Sequence, residues 1–182
     1  MDDAMPPAHA ASADRPMAGT ADPFATGGCR CGTVRYALAR APYVVHCCHC
    51  HECQVLSGSA FAINAVVETE CLTLLAGTVA PVAVPTHSGR GQTIMRCTAC
   101  QTAVWSHYGS LGQKAAFVRA GTLDSPALCP PTVHIYVRTR LPWITLPDGI
   151  PAFDGFYAGR DVPQIYGAEG AARLATLRAR PE

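Results

Sequence analysis

The stretch Cys47-Cys48-His49-Cys50-His51-Glu52-Cys53, followed at once by Gln54-Val55-Leu56-Ser57-Gly58-Ser59-Ala60-Phe61, decides how the rest of the chain is read. Cys48, Cys50 and Cys53 lie within six residues, too close for disulfides among themselves and well placed to grip one metal ion. A thiolate-rich set of this kind points to zinc. Neighbouring residues of an extended chain point to opposite sides, so Cys47 and Cys48 cannot easily serve one ion. Cys48 keeps the C-x-C-x-x-C spacing and is the expected ligand. The same alternation turns His49 and His51 away from the ion and gives them a supporting or surface role. Three protein ligands leave a fourth position for a thiol, a carbonyl or a water. The competing expectation is a second closed zinc site whose fourth ligand is not evident in the sequence.

Working outward, two cysteine pairs flank this cluster. Cys29 and Cys31 are bracketed by Gly27-Gly28 and Gly32, and Cys97 and Cys100 form a C-x-x-C pair. Zinc holds thiolate sulfur at about 2.3 Å, which sets neighbouring sulfurs roughly 3.8 Å apart, a spacing that such knuckles provide. Cys29, Cys31, Cys97 and Cys100 are therefore expected to close one four-thiolate structural site, giving two zinc ions per chain. Cys71 and Cys129 read as ordinary cysteines. His134, in an apolar run, reads as a core histidine rather than a base, and Trp105 and Trp143 as core or pocket wall.

The segments around the cysteines read as strands. Thr33 to Leu38 alternates as a half-buried strand does, and Ala60 to Val67 has strand length and β-branched content. Glu70 to Leu75, Thr93 to Arg96, Thr102 to Tyr108, Ala115 to Ala120 and Val133 to Val137 extend the pattern. Pro81 and Pro85 confine their segment to a sheet edge, because proline cannot donate to a ladder. Helix is expected only over residues 169–180, where Leu174 and Leu177 form a thin apolar face that predicts weak docking. The expected organisation is a flexible tail over residues 1–24, a mainly β zinc-binding domain over 25–155, and a C-terminal extension with a short helix over 156–182.

Composition narrows the function. Fourteen basic against 13 acidic residues give a net charge of +1, which offers no broad attraction for nucleic acid or an anionic membrane. No apolar run approaches the ~20 residues of a membrane helix. The N-terminus lacks the basic start and apolar stretch of an export signal, so ten cysteines imply a reducing compartment, the cytoplasm, and metal ligation rather than disulfides.

Taken together, Gly28-Cys29-Arg30-Cys31-Gly32-Thr33-Val34-Arg35-Tyr36, Cys48 to Cys53 with Ser57-Gly58-Ser59-Ala60-Phe61, Arg96-Cys97-Thr98-Ala99-Cys100, Ala120-Gly121-Thr122-Leu123-Asp124, and His134-Ile135-Tyr136-Val137 with Pro142-Trp143-Ile144 resemble the glutathione-dependent formaldehyde-activating enzyme family, also called the centromere protein V family. The resemblance spans about residues 26–155. It implies a β-tent fold, a structural zinc on Cys29, Cys31, Cys97 and Cys100, and a catalytic zinc on Cys48, Cys50 and Cys53. It also implies a carbon-sulfur lyase activity that joins glutathione to formaldehyde, or the reverse, near the Ser57-Gly58-Ser59 turn and Trp143. Gln54 stands where the family usually has arginine, removing a positive charge suited to a carboxylate-bearing thiol. Gln101-Thr102 stands where Gly-Ser or Gly-Thr is usual. The alternatives are a related zinc enzyme acting on another small thiol, or a zinc-stapled binding module without catalysis.

Overall fold

The computed structural model describes residues 22–181, so most of the tail expected over residues 1–24 lies outside the described residues. Among the described residues, eleven strands form two open sheets. The smaller holds β1 (Ala25–Gly28), β2 (Arg35–Leu38) and β5 (Leu72–Ala76) in the order β1-β2-β5. The larger contains β3 (Val44–Cys48), β4 (Ala62–Glu68), β6 (Val79–Val84), β7 (Gln92–Cys97), β8 (Ala103–Tyr108), β9 (Ala115–Arg119), β10 (Val133–Ile135) and β11 (Ala152–Phe153). Its order is β11-β10-β3-β4-β9-β8-β7-β6. β10 runs parallel to both β3 and β11, and the other pairs are antiparallel. The mainly β expectation is met, and β6, with Pro81, takes the sheet edge.

The large sheet is the middle of three layers, which explains why every residue of β3 is buried. On one face Val45, Ala65, Val67, Val104 and Val118 pack against Val34, Tyr36 and Leu38 from the small sheet and its approach. On the other face Val44, Val66, Ala115 and Phe117 pack against Tyr157, Val162, Ile165, Leu174 and Leu177 from the C-terminal segment. Alternate residues of one strand thus serve two cores.

Two helices depart from the sequence reading. A short helix, α1 (His51–Ser57), begins inside the cysteine cluster and ends at Gly58 in the left-handed conformation, φ 63°. α2 (Val162–Ala179) starts earlier than expected and is interrupted at Gly167, φ 68°. The expected weak docking of this helix is corrected. Leu174 and Leu177 are buried, Tyr166 stacks on Tyr43 at 5.6 Å, and the Arg173 guanidinium donates to both Glu68 oxygens at 2.8 and 2.5 Å. Arg173 also lies over the Tyr43 ring. A thin leucine stripe is sufficient because aromatic stacking and a buried ion pair supplement it.

Candidate metal centres

The loop between β1 and β2 carries Cys29 and Cys31, and the turn between β7 and β8 carries Cys97 and Cys100. All four sulfurs lie within 4.8 Å of one another. Cys29 Sγ is 3.3 Å from Cys31 Sγ, and Cys31 Sγ is 3.9 Å from Cys97 Sγ. The cluster joins the small sheet to the large one, and the backbone amide of Val34 donates to Cys29 Sγ. The Thr102 hydroxyl beside Cys100, at 3.1 Å, holds that thiol down to about 5. Burial pushes Cys29 up to about 11. Gln101, in the turn, has φ 60°, a left-handed conformation that favours glycine. It stays there with its side-chain amide donating to the Thr98 carbonyl and its own carbonyl accepting from Arg96.

Cys48, Cys50 and Cys53 form a second group, also within 4.8 Å. β3 delivers Cys48 and the first turn of α1 delivers Cys53. Between them Cys50 caps the helix by accepting from the Cys53 amide at 3.4 Å. The helical turn, rather than the extended chain assumed from sequence, therefore closes the C-x-x-C spacing. His51, its first residue, is exposed. Contact among the three thiols drives ionisation towards Cys50. The thiols of Cys48 and Cys53 hold Cys50 down to about 2. Cys48 is pushed far up, by contact with Cys50 and Cys53 and then by burial. Cys53 finishes high, at about 12, because the anion at Cys50 and burial outweigh its favourable contact with Cys48. Three thiolates this close would repel one another, and a cation held among them would relieve that repulsion.

The third group was not foreseen. Cys47, His49 and His134 bring their ligand atoms within 4.8 Å of one another on the opposite face of β3. Parallel pairing sets His134 beside Cys47, and strand alternation turns His49 to the same side. His49 Nε2 lies 2.9 Å from His134 Nδ1 and 3.6 Å from Cys47 Sγ. Burial lowers His49 to about 4 and lowers His134, and it raises Cys47 to about 12. His49 thus points away from the triad, as its alternation predicts, and His134 is a core residue. Cys71 and Cys129 are buried, and Trp105 is core.

Tyr108, Leu111, Tyr136 and Phe153 pack against the apolar cluster that includes Cys48 and Cys53. Tyr136 takes a left-handed backbone, φ 57°. Arg119 lies on the same sheet face, donating to Asn64 Oδ1 at 2.5 Å and towards Ser106 Oγ at 3.4 Å. Its positive charge acts favourably on Cys53, and among the described residues it has no carboxylate partner. Gln54 is fully engaged, its amide donating to the carbonyls of His49 and Thr139 at 2.8 and 2.9 Å. Gly58, Ser59 and the exposed Trp143 meet in a cleft of about 610 Å3 that no triad thiol lines. A second cleft, about 480 Å3, is lined by Tyr108 and Arg90, and no triad thiol lines it either. The His87 backbone amide donates to Glu52, tying the loop between β6 and β7 to α1.

No functionally curated protein matches this chain by sequence. A crystal structure of a Rhodobacter sphaeroides protein, solved as a Northeast Structural Genomics target, is similar over 70% of this chain and 98% of its own, with a TM-score of 0.42 and 16% identity. Residues 24–139, well over half of the chain, match the family model described as glutathione-dependent formaldehyde-activating enzyme. The match contains both all-cysteine groups, and the chain belongs to the glutathione-dependent formaldehyde-activating enzyme family.

Proposed function

We propose that the chain is a zinc-dependent carbon-sulfur lyase acting on a thiol-aldehyde adduct, with glutathione and formaldehyde as the leading pair. The observation that carries this reading is the grouping of Cys48, Cys50 and Cys53 within 4.8 Å at positions inside the family match. Soft thiol donors at that spacing fit zinc and disfavour hard cations. We assign Cys29, Cys31, Cys97 and Cys100 to a structural zinc and the triad to the catalytic one. Bound at the triad, zinc supplies the thiolate form of a substrate sulfur at neutral pH and a Lewis acid for an aldehyde oxygen.

The protein's own residues set the conditions for that chemistry. Arg119 offsets negative charge at Cys53 and favours a substrate held as an anion. Burial raises Tyr108 and Tyr136 above the ordinary phenol range, so both hydroxyls keep their protons and can donate hydrogen bonds. Phe117 and Ile135 belong to the same apolar cluster as Cys48 and Cys53, and Phe153 packs against it. In the forward direction the sulfur-carbon bond forms as the carbonyl π bond opens, and the thiol proton ends on the new hydroxyl. Nothing is oxidised or reduced.

The ten cysteines are all unpaired thiols, which fits a reducing compartment, the cytoplasm. No helix among the described residues is long and apolar enough to cross a membrane. The test is a turnover screen over thiols and aldehydes with the zinc-loaded protein, run beside a pull-down. Turnover with a thiol and an aldehyde supports the lyase; partner capture with no turnover for any pair contradicts it.

A further inference from the structure

We propose that Cys47, His49 and His134 form a third metal site, separate from both all-cysteine groups, that takes one soft or borderline d10 cation, zinc or monovalent copper. The three residues are 2%, 0% and 6% exposed, and their donor atoms lie within 4.8 Å of one another behind the strand that carries the triad. On a single zinc, a thiolate sulfur and an imidazole nitrogen lie about 3.5 Å apart and two nitrogens about 3.3 Å, given the usual bond lengths and tetrahedral angles. The separations here are 3.6 Å between Cys47 Sγ and His49 Nε2 and 2.9 Å between the two rings. The ring pair has to open by a few tenths of an ångström, and Cys47 Sγ lies within 4.8 Å of the His134 donor.

The donor atoms are Cys47 Sγ, His49 Nε2 and His134 Nδ1; the other ring nitrogens, His49 Nδ1 and His134 Nε2, are buried without a hydrogen-bond partner among the described residues and stay outside the donor set. One thiol and two imidazoles suit a d10 cation and reject magnesium or calcium. Binding releases the Cys47 proton to solvent and uses one lone pair from each ring; no electron is transferred. The metal would pin β10 to β3 where the chain turns into the triad, with the His49 carbonyl already held by Gln54 and Thr139. The site stands or falls independently of the proposed lyase activity, because its readout is metal content.

The test loads full-length protein with excess zinc, removes loose metal by desalting, and counts zinc in the wild type, Cys47→Ala and His134→Asn. A parallel arm offers one equivalent of Cu+ anaerobically to zinc-loaded wild type and reads the copper shell by X-ray absorption. The site predicts three zinc equivalents in the wild type falling to two in both variants, or one copper bound by one sulfur and two nitrogens without zinc release. Two equivalents in the wild type with no such copper uptake, a third equivalent that survives in both variants, or copper in an all-sulfur shell that expels zinc would each overturn it. The wild-type count and shell decide the matter even if a variant fails to fold.

Discussion

Cys47 and Cys48, adjacent in sequence, face opposite sides of the large sheet: Cys47 Sγ lies 3.6 Å from His49 Nε2, while Cys48 groups with Cys50 and Cys53. This division predicts unequal consequences of substitution. Losing a residue that only supports a metal ligand commonly costs about 10–100-fold in activity, so removing a ligand should cost about 100-fold or more. Cys48→Ala and Cys50→Ala are expected to lower turnover by at least that factor and to lose the triad's metal. Cys47→Ala should retain that metal and most of the turnover. Metal analysis beside initial rates checks the contrast.

Cys97 is fully buried where the four-cysteine group joins the two sheets. Cys97→Ser should cost several kcal/mol of stability, because metal binding at a closed site is folding free energy. Denaturant unfolding with and without a chelator measures it. Chelation should destabilise the wild type strongly and the variant little.

The Arg173–Glu68 pair is 11% and 6% exposed and anchors α2. Arg173→Met leaves a buried carboxylate without its partner and should cost about 3–5 kcal/mol at neutral pH. Arg173 holds Glu68 below its ordinary value of 4.5, so the pair's contribution is complete above that value and is lost as pH falls through the lowered native one. The gap between wild type and variant should therefore narrow on acidification. Unfolding curves at pH 7 and below pH 4 read this directly, and a gap independent of pH would show that Arg173 stabilises through packing alone.

Arg119 is the cation nearest in effect to Cys53. If it favours an anionic substrate, Arg119→Met should lower kcat/KM for a thiol-aldehyde pair by about tenfold, the equivalent of one pKa unit. The rate profile should also shift towards higher pH, since the thiol would then ionise later.

Local pattern carried the strands well. Pro81 located the sheet edge, alternation separated Cys47 from Cys48, and cysteine spacing gave both all-thiol groups. What escaped depended on distance or on conflicting local signals. α1 has no apolar periodicity, and its C-x-x-C spacing fits an extended chain as readily as a helical turn. The early start of α2 was hidden by Pro163 and by Gly167 in a left-handed conformation. Its docking rests on Tyr43 and Glu68, both more than 100 residues from their partners in α2. The Cys47, His49 and His134 group needs the parallel pairing of β3 with β10, which no local pattern specifies. Gln101 holds a glycine-like conformation without being glycine, so the turn was hinted at by its place after a cysteine knuckle and by the glycine usual there in the family.

The most direct test of the proposed chemistry is formaldehyde exchange with glutathione followed by NMR, with zinc-loaded protein, with Cys50→Ala, and without protein. Cysteine and other small thiols run in parallel. The account predicts accelerated exchange of the S-hydroxymethyl adduct by the wild type and none above background by Cys50→Ala. Acceleration confined to a thiol other than glutathione would keep the triad mechanism and reject the named substrate. No acceleration with any thiol, from protein shown to carry metal at Cys48, Cys50 and Cys53, would contradict the lyase reading itself.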